Sequence, residues 1–254
     1  MFRCFGLSDV GVVRQTNQDR LLIDEDQGAF LVADGVGGLG RGEEAAETAI
    51  SVCQHFLHAS RSRSDVSWPF GFEASLGVDA NRLVTALKLA NRQVQRRCEE
   101  STDRSGMGTT LVGLLVDGAR ATVANVGDSR AYLFRGGELR QLTLDDKWVA
   151  HMVRNGALSE EDAQNHPMKN VLTQSIGTQP QVDVHTHEFD LRDGDQVLLS
   201  SDGFHEIAGE QRIVEMLRRG LAPEPVIRNL VDAVLSLGAP DNTTAILVRF
   251  EGLA

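Results

Sequence analysis

Apolar residues occur in short runs along the chain, and their spacing separates strands from helices. Eight runs are compact and most end at Gly, Asp or Asn, which is typical of buried strands that lead into turns. The predicted strands cover residues 3–8, 20–24, 29–33, 109–116, 122–126, 131–134, 196–200 and 243–250. Breaks around residues 26–28 and at Asp117-Gly118 predict β-hairpins.

Helical spacing of apolar residues appears in other parts of the chain. In residues 43–59 the apolar stripe consists of Ala46, Ala49, Ile50, Cys53, Phe56 and Leu57. A second helix is predicted to start at Asp79, whose side chain would cap it. Two further helices are predicted over residues 209–219 and 224–237. A short helix capped by Ser159 is indicated by the Ser-x-x-Asp pattern.

The order of these elements predicts the class of fold. Strands occur in consecutive groups with helices in pairs between them, which favours antiparallel sheets with segregated helices over an alternating βαβ protein. The chain has 254 residues, of which 41% are hydrophobic, and this is enough for one full core. No repeat or low-complexity segment divides it. We therefore expect an α+β protein with a single domain over residues 1–254.

Charge and cysteine content limit the partners and the compartment. The chain has 25 basic and 36 acidic residues, and the resulting net charge of −11 argues against sequence-independent binding of nucleic acids. The N-terminus lacks the apolar core of a signal peptide, and no apolar run approaches transmembrane length. The three cysteines show no metal-ligand spacing, which indicates reduced thiols. We expect a cytoplasmic monomer with no nucleic-acid or membrane partner.

Acidic residues accompany strongly apolar runs at separate places in the chain. Asp34-Gly35 and Asp202-Gly203 each follow such a run, Asp241-Asn242 directly precedes the last one, and Asp128 lies in a break between two predicted strands. Each acid alone is most simply a turn residue. Carboxylates crowded together repel one another, and a bound metal ion is the usual means of holding them. Because Mg²⁺ and Mn²⁺ prefer oxygen ligands, the pattern predicts a site for one of these ions.

Six short motifs contain these acids. They are Arg14…Asn17-Gln18-Asp19, Asp34-Gly35-Val36-Gly37-Gly38, Gly106-Met107-Gly108-Thr109-Thr110, Gly127-Asp128-Ser129-Arg130, Ser201-Asp202-Gly203 and Asp241-Asn242-Thr243-Thr244. In this order they resemble the metal-dependent protein phosphatases of type 2C, and above all their compact bacterial branch. Any one motif is weakly specific, but six in the correct order are strongly specific. The resemblance covers the chain from about residue 5 to residue 250.

This resemblance implies a fold and an activity. The fold is a four-layer α-β-β-α sandwich, in which two central, mainly antiparallel sheets are flanked by helix pairs. A flap segment, about residues 145–180, lies near the active site. The implied activity is hydrolysis of phosphoserine and phosphothreonine in proteins by a metal-activated water at a dinuclear Mg²⁺/Mn²⁺ centre. Phosphorylated proteins are then the substrates, and a cognate Ser/Thr kinase is the enzyme that the phosphatase opposes.

The resemblance also implies the ligands of the two metal ions. Asp34 bridges the ions, and the carbonyl of Gly35 binds one of them. Asp202 and Asp241 hold the other ion. Two adjacent cations lower the pKa of a shared water, which then attacks phosphorus in line with the leaving group.

Three further residues take supporting roles in this comparison. Asp128 together with Asp202 would frame a weaker third metal site. Asp19 lies at the family's acidic position beside the centre and is expected to act through metal-bound water. Arg14 would bind two phosphate oxygens with its planar guanidinium, which does this better than the point charge of a lysine.

Some positions depart from the family pattern. Animal and plant members carry His directly after the metal-binding Asp-Gly, whereas this chain has Val36 there, so the leaving group needs another proton source. His166, in the flap, is a candidate donor, and the simpler interpretation is a packing or capping histidine. The family's Asp-His-Ser before the flap is Asp145-Asp146-Lys147 here. Basic side chains that the family carries in residues 169–177 are also replaced.

Two other phosphate-binding motifs are matched only formally. Residues 35–40 fit the Gly-x-Gly-x-x-Gly of dinucleotide-binding folds, but Asp34 and the acidic start of the next helix would repel a pyrophosphate. Cys98 and Arg104 fit the Cys-x₅-Arg of cysteine phosphatases, but three acids lie between them. A core thiol is the better interpretation of Cys98.

Two alternatives outside phosphate chemistry remain. His185 and His187 could bind a transition metal from one face of a strand, although no third ligand is evident nearby, so exposed histidines are the simpler interpretation. The non-enzymatic alternative is a pseudophosphatase that binds phosphoproteins without hydrolysing them. Loss of a central carboxylate would indicate such a protein, and none is lost.

Overall fold

A computed structural model describes residues 1–37, 41–61, 67–100 and 106–252, and in these ranges the chain forms eleven strands and seven helices. The strands are β1 (Phe2–Asp9), β2 (Asp19–Asp24), β3 (Ala29–Val36), β4 (Gly108–Thr109), β5 (Leu111–Asp117), β6 (Arg120–Val126), β7 (Arg130–Arg135), β8 (Glu138–Gln141), β9 (His185–Asp190), β10 (Gln196–Ser200) and β11 (Thr243–Phe250). The helices are α1 (Gly42–Arg61), α2 (Val78–Glu99), α3 (Trp148–Arg154), α4 (Glu160–Asn165), α5 (Asp202–Ala208), α6 (Glu210–Leu217) and α7 (Pro223–Ser236).

The strands form two antiparallel sheets. The first sheet has the order β1-β11-β10-β7-β8, and the second has the order β2-β3-β5-β6-β9 with the short β4 paired to β3. The two chain ends meet in the first sheet, where β1 pairs with β11 from Phe2 opposite Phe250 to Asp9 opposite Thr243. This arrangement confirms the predicted pair of antiparallel sheets.

Three apolar clusters lie between four layers. The first fills the space between α1, α2 and the second sheet, the second lies between the two sheets, and the third lies between the first sheet and α5–α7. Neighbouring residues of β3 belong to different clusters, Leu31 to the first and Phe30 to the second, because side chains alternate across a strand. The predicted α-β-β-α sandwich is therefore confirmed, with three helices rather than two on the first sheet.

The two long helices cover the second sheet. Helix α1 buries Ala46, Ala49 and Cys53 of the predicted stripe, and acids in its first turn and bases in its last turn suit the helix dipole. The predicted cap of α2 is wrong. The N-cap residue is Gly77, and Asp79 lies in the first turn, where it forms a 2.7 Å ion pair with Arg82.

Several element boundaries differ from the sequence prediction. Strand β3 continues through Asp34-Gly35 to Val36 because its last residues pair with β4. The hairpin between β5 and β6 is confirmed, but its two turn residues are Gly118 and Ala119, since Asp117 still pairs with Arg120. Helices α3 and α5 and strand β8 are too short for their spacing to separate them from loops.

The last part of the predicted flap, about residues 145–180, belongs to the sandwich, because Ile176 pairs with Thr109 and is fully buried. Residues 148–171 form a separate excursion that contains α3 and α4. It leaves and rejoins the sandwich at one place, where Lys147 pairs with Leu172 and the Asp146 carbonyl accepts a 2.7 Å bond from the Thr173 amide. The Ser159 hydroxyl caps α4 as predicted, at 3.1 Å from the Asp162 amide. None of the helices in the described ranges has the length and apolar character needed to cross a membrane.

Candidate functional site

Asp34 is held by the backbone of the second sheet. Its carbonyl accepts bonds from the Thr110 amide at 2.8 Å and from the Thr109 hydroxyl at 2.9 Å. Across the β2–β3 ladder Asp34 stands directly opposite Asp19. The residue therefore lies inside a strand rather than after one, and its position cannot shift without disturbing three strands.

Gly35 allows the backbone to approach the start of α1. A Cβ on this residue would lie 2.2 Å from the Gly42 carbonyl oxygen and 2.7 Å from that of Gln18. These are backbone atoms that cannot move aside separately, so only glycine fits. The Asp-Gly pair is thus required by the packing of β3 as well as by any chemistry of its carboxylate.

A second Asp-Gly pair starts α5. Asp202 is the first residue of the helix, and a Cβ on Gly203 would lie 2.1 Å from the Asn242 carbonyl oxygen. The Gly203 carbonyl in turn accepts a 2.9 Å bond from the Thr243 hydroxyl. This contact sets Asp202 beside Asp241, which precedes β11.

Asp19 is the most deeply buried of these acids, with 2% of its surface exposed. Its Oδ2 accepts a 2.9 Å bond from the Ser201 hydroxyl, which itself accepts a bond from the Thr244 amide. Among the described residues none donates a hydrogen bond to its Oδ1. Asp19 therefore presents one free, buried carboxylate oxygen next to Asp34.

The carboxylates of the site raise one another's pKa values. Burial, together with the charges of Asp19, Asp202, Asp128 and Asp241, holds the pKa of Asp34 well above its usual range. Burial and the Asp128 charge raise the pKa of Asp202 to about 7, and burial raises that of Asp19 to about 6. Burial also raises the pKa of Asp128, although Lys147 opposes this. The five acids thus form one cluster with excess negative charge.

Two basic side chains contact this cluster. The Arg14 Nη2 lies 2.7 Å from Asp241 Oδ2, and the Lys147 Nζ lies 3.0 Å from Asp128 Oδ2. Lys147 also donates a 2.6 Å bond to Glu206 Oε1. Burial disfavours its charge, but the carboxylates of Asp128 and Glu206 outweigh this and raise the pKa of Lys147.

Asn242 anchors the loop that carries Arg14. Its Nδ2 donates to the carbonyls of Val10 and Thr16 at 2.9 and 3.0 Å, and its Oδ1 accepts a 2.8 Å bond from the Gln18 amide. The side chain is buried. It therefore connects the loop between β1 and β2 to Asp241, the neighbouring acid.

The donor set suits a divalent cation, although the side chains do not form a closed cage. Within the described ranges, no group of three or more His, Cys, Asp or Glu side chains is arranged to hold a metal ion. The cluster nevertheless offers hard carboxylate oxygens, raised pKa values and the free Oδ1 of Asp19. These features fit Mg²⁺ or Mn²⁺, which neutralise such charge and prefer oxygen.

The histidines singled out in the sequence make other contacts. The His166 ring packs on Trp148 with 5.0 Å between ring centroids, and its Nδ1 accepts a 3.1 Å bond from the Met168 amide. In β9, His185 Nε2 lies 2.8 Å from Asp146 Oδ1, and His187 packs against Phe189. The contacts of His166 agree with the packing or capping interpretation. His185 and His187 are half-buried, so the prediction that both are exposed is wrong.

The formal motif matches fall partly outside the described residues. Gly38, Leu39 and Gly40 of the glycine-rich match, and Arg104 of the Cys-x₅-Arg match, lie there. Cys98 packs against the cluster beneath α1 and α2, and its thiol contacts the Met107 carbonyl at 3.5 Å, which agrees with a core thiol.

Sequence reasoning assigned no role in the site to Lys147, Ser201 or Asn242. The signal for Ser201 and Asn242 is polarity at positions where the neighbouring strands are apolar. Lys147 gives no such signal, because a lysine between acidic and aromatic residues looks like a surface position. A groove of about 750 Å³ adjoins it, lined by Arg130, Asp145, Val149, Lys169 and Glu206 among others.

Comparisons with known proteins identify the family that the chain resembles. Residues 12–248 match the family model described as protein phosphatase 2C. The chain is 34% identical over 249 residues to the serine/threonine phosphatase Stp of Listeria monocytogenes, covering 95% of this chain and 93% of that protein. It is 33% identical to the serine/threonine protein phosphatase PstP of Mycobacterium tuberculosis, covering 94% of this chain and 43% of that protein.

Solved structures show the same similarity. A crystal structure of the Mycobacterium tuberculosis phosphatase PstP superposes with a TM-score of 0.85 at 30% identity, covering 98% of this chain and 99% of that one. The catalytic domain of PstP in complex with two manganese ions superposes with a TM-score of 0.82 at 28% identity, covering 98% and 97% of the two chains.

Proposed function

This chain belongs to the protein phosphatase 2C family and is a serine/threonine phosphatase, and from this premise we propose that it hydrolyses phosphoserine and phosphothreonine in proteins at a dinuclear Mg²⁺/Mn²⁺ centre. The observation that carries the proposal is the cluster of five acids, in which the pKa values of Asp19, Asp34, Asp128 and Asp202 are raised. A structure of a relative with two manganese ions supports the number of ions.

Four residues are proposed as the direct ligands. Asp34 would contact both ions, the Gly35 carbonyl would bind one, and Asp202 and Asp241 would hold the other. Their backbone is rigid because both Asp-Gly pairs pack against neighbouring backbone with no room for a Cβ. Asp19, whose buried Oδ1 has no hydrogen-bond partner among the described residues, would accept a hydrogen bond from water at the centre.

When bound, the two cations supply Lewis-acid charge and a water of lowered pKa. The chain's own contribution is to orient the ester. Arg14 lies at the exposed edge of the cluster beside Asp241, where its guanidinium can bind two phosphate oxygens and hold phosphorus above the acids. His166 is not part of this arrangement, since its Nδ1 accepts a bond from the Met168 amide and its ring packs on Trp148. We propose the packing role for it.

The biological setting follows from the substrate class. Phosphoserine and phosphothreonine in proteins are made by Ser/Thr kinases, so we propose that the chain opposes such a kinase. Its three cysteines are free thiols, which supports action in the reducing cytoplasm.

The test is hydrolysis of a phosphothreonine peptide by metal-stripped protein, with Mn²⁺ or Mg²⁺ titrated back. Activity should appear only with metal. Asp34→Ala and Asp241→Asn should each lower kcat/KM on the order of 10²–10³-fold or more, the loss that follows removal of one preorganised charged group. Asp232→Asn, on the exposed face of α7, is the matched control and should behave as wild type.

Two results would overturn the proposal. Near-normal metal-dependent activity in Asp34→Ala would show that the site is assigned to the wrong residues. No activity at any metal concentration, from folded protein shown to contain metal, would instead favour a protein that binds phosphoproteins without hydrolysing them.

A further inference from the structure

We propose that the Lys147 ammonium takes the place of a third divalent cation at Asp128, so that this chain holds two exchangeable ions and one fixed positive charge. This inference rests on the proposed two-ion centre. It concerns the expectation, drawn from the resemblance, that Asp128 and Asp202 frame a third metal site.

The ammonium lies inside the carboxylate cluster. The Lys147 Nζ is 3.0 Å from Asp128 Oδ2 and 2.6 Å from Glu206 Oε1, and it also acts electrostatically on Asp202. Only 6% of the Lys147 side chain and 6% of the Asp128 side chain are exposed. A surface lysine would keep its ammonium in water, whereas this one is bound between two carboxylates.

The backbone holds Lys147 in this position. Residue 147 pairs with Leu172, and its carbonyl accepts a 3.0 Å bond from the His151 amide at the start of α3. The preceding residue, Asp146, accepts a 2.8 Å bond from the Gly127 amide and donates its own amide to the Gly127 carbonyl. Gly127, which precedes Asp128, is thus hydrogen-bonded directly to Asp146, which precedes Lys147. The pairing with Leu172 and the bonds between residues 146 and 127 therefore fix the backbone from which Lys147 reaches Asp128.

The Asp128 carboxylate is consequently already paired with a cation before any metal binds. A divalent cation must contact its carboxylate ligands directly, at about 2.0–2.2 Å for Mg²⁺. At Asp128 such an ion would share one carboxylate with an ammonium, and two positive charges at that separation repel strongly because the Lys147 and Asp128 side chains are both buried. Glu206 holds the ammonium in this place, because its Oε1 accepts a bond from the same Nζ.

The number of bound ions tests the inference without relying on turnover. Metal-stripped protein is dialysed to equilibrium against Mn²⁺ up to millimolar concentration, and the bound ions are counted by elemental analysis. Wild type should bind two ions per chain, and Asp128→Asn should also bind two. Lys147→Ser should bind three, the third weakly, and the double variant Lys147→Ser/Asp128→Asn should return to two. Lys169→Ser, an exposed flap lysine, is the matched control and should bind two.

The outcomes distinguish a failure of this inference from a failure of the proposed two-ion centre on which it rests. Three ions in wild type, reduced to two by Asp128→Asn, would overturn the inference, and this comparison does not require Lys147→Ser to fold. Two ions in a folded Lys147→Ser would also overturn it and leave Lys147 as a structural ion pair. Wild type that binds no ion would overturn the two-ion centre itself.

Discussion

The guanidinium of Arg14 lies 2.7 Å from the Oδ2 of Asp241, so the proposed phosphate ligand and a proposed metal ligand are neighbours. Half of the Arg14 side chain is exposed, which leaves it accessible to a substrate. Arg14→Ala should raise KM for a phosphothreonine peptide about 10–100-fold with a smaller effect on kcat, because charge-assisted bonds to the phosphate are lost.

The variant Arg14→Lys keeps the positive charge but changes its geometry, and its kinetics are measured in the same way at saturating Mn²⁺. Its KM should lie between those of wild type and Arg14→Ala, since a lysine cannot form the bidentate contact. A fall in kcat with unchanged KM in Arg14→Ala would contradict the binding role.

Asn242 should affect phosphate binding by Arg14, because Asn242 holds the loop that carries Arg14. Asn242→Ala removes three hydrogen bonds and leaves buried backbone groups without partners, so the free energy of unfolding should fall by about 2–4 kcal/mol in urea denaturation. KM should rise as well, because the loop that presents Arg14 is released.

A double-mutant cycle checks this coupling. The effects of Asn242→Ala and Arg14→Ala on KM should be less than multiplicative, since both act through one guanidinium. Fully multiplicative effects would show that Asn242 acts independently. Asn155→Ala, at the exposed end of α3, is the control and should change stability by less than about 0.5 kcal/mol.

His166 should be dispensable for catalysis. His166→Ala removes a ring that packs on Trp148 and accepts from the Met168 amide. We expect an unchanged kcat and an unchanged pH profile, together with faster proteolysis of residues 145–180. Loss of the alkaline limb of the kcat profile, with the protein still folded, would instead identify His166 as the leaving-group acid.

The His185–Asp146 pair should make stability depend on pH. The hydrogen bond that His185 donates to the Asp146 carboxylate, together with the charge of that carboxylate, raises the pKa of His185 above its ordinary value. The folded protein then binds this proton more tightly than the unfolded chain. The stabilisation is complete below about pH 6.5, the unfolded value, and is lost as the pH rises through the raised folded pKa.

Denaturation of wild type and His185→Ala at two pH values measures this effect. The variant should be less stable than wild type by about 1 kcal/mol more at pH 5.5 than at pH 8.5. His55→Ala, an exposed histidine of α1, should show no comparable difference between the two pH values. An equal loss for His185→Ala at both pH values would mean that the pair is not charged.

The long and strongly patterned elements were predictable from the sequence. Strand β11 has the predicted bounds, and α1 buries the predicted stripe, because burial dominates where an element packs along its whole length. The sequence predicts that Asp34 follows its strand, whereas the structure has it inside β3. The strand extends to Val36 because β3 pairs with β4. The contact between residues 35 and 109 gives no pattern in the sequence near either residue.

The polar contacts of the site were less predictable than its acids. Acids next to glycine in apolar surroundings are visible in the sequence, but the partner of Asp128 is not. Lys147 reaches it only because residues 146 and 127 are bonded to each other, and this contact joins segments that no local pattern relates. Short elements such as α5 were missed for a similar reason, since seven residues give too little periodicity.

The flap begins and ends at adjacent residues, with Asp146 bonded to Thr173 and Lys147 paired with Leu172. Its two ends are therefore joined whatever lies between them, and closing a loop whose ends already meet costs little extra entropy as the loop lengthens. Residues 148–171 can accordingly be lengthened or shortened at little cost in entropy. A change in the length of this segment should therefore leave the geometry of the carboxylate cluster intact.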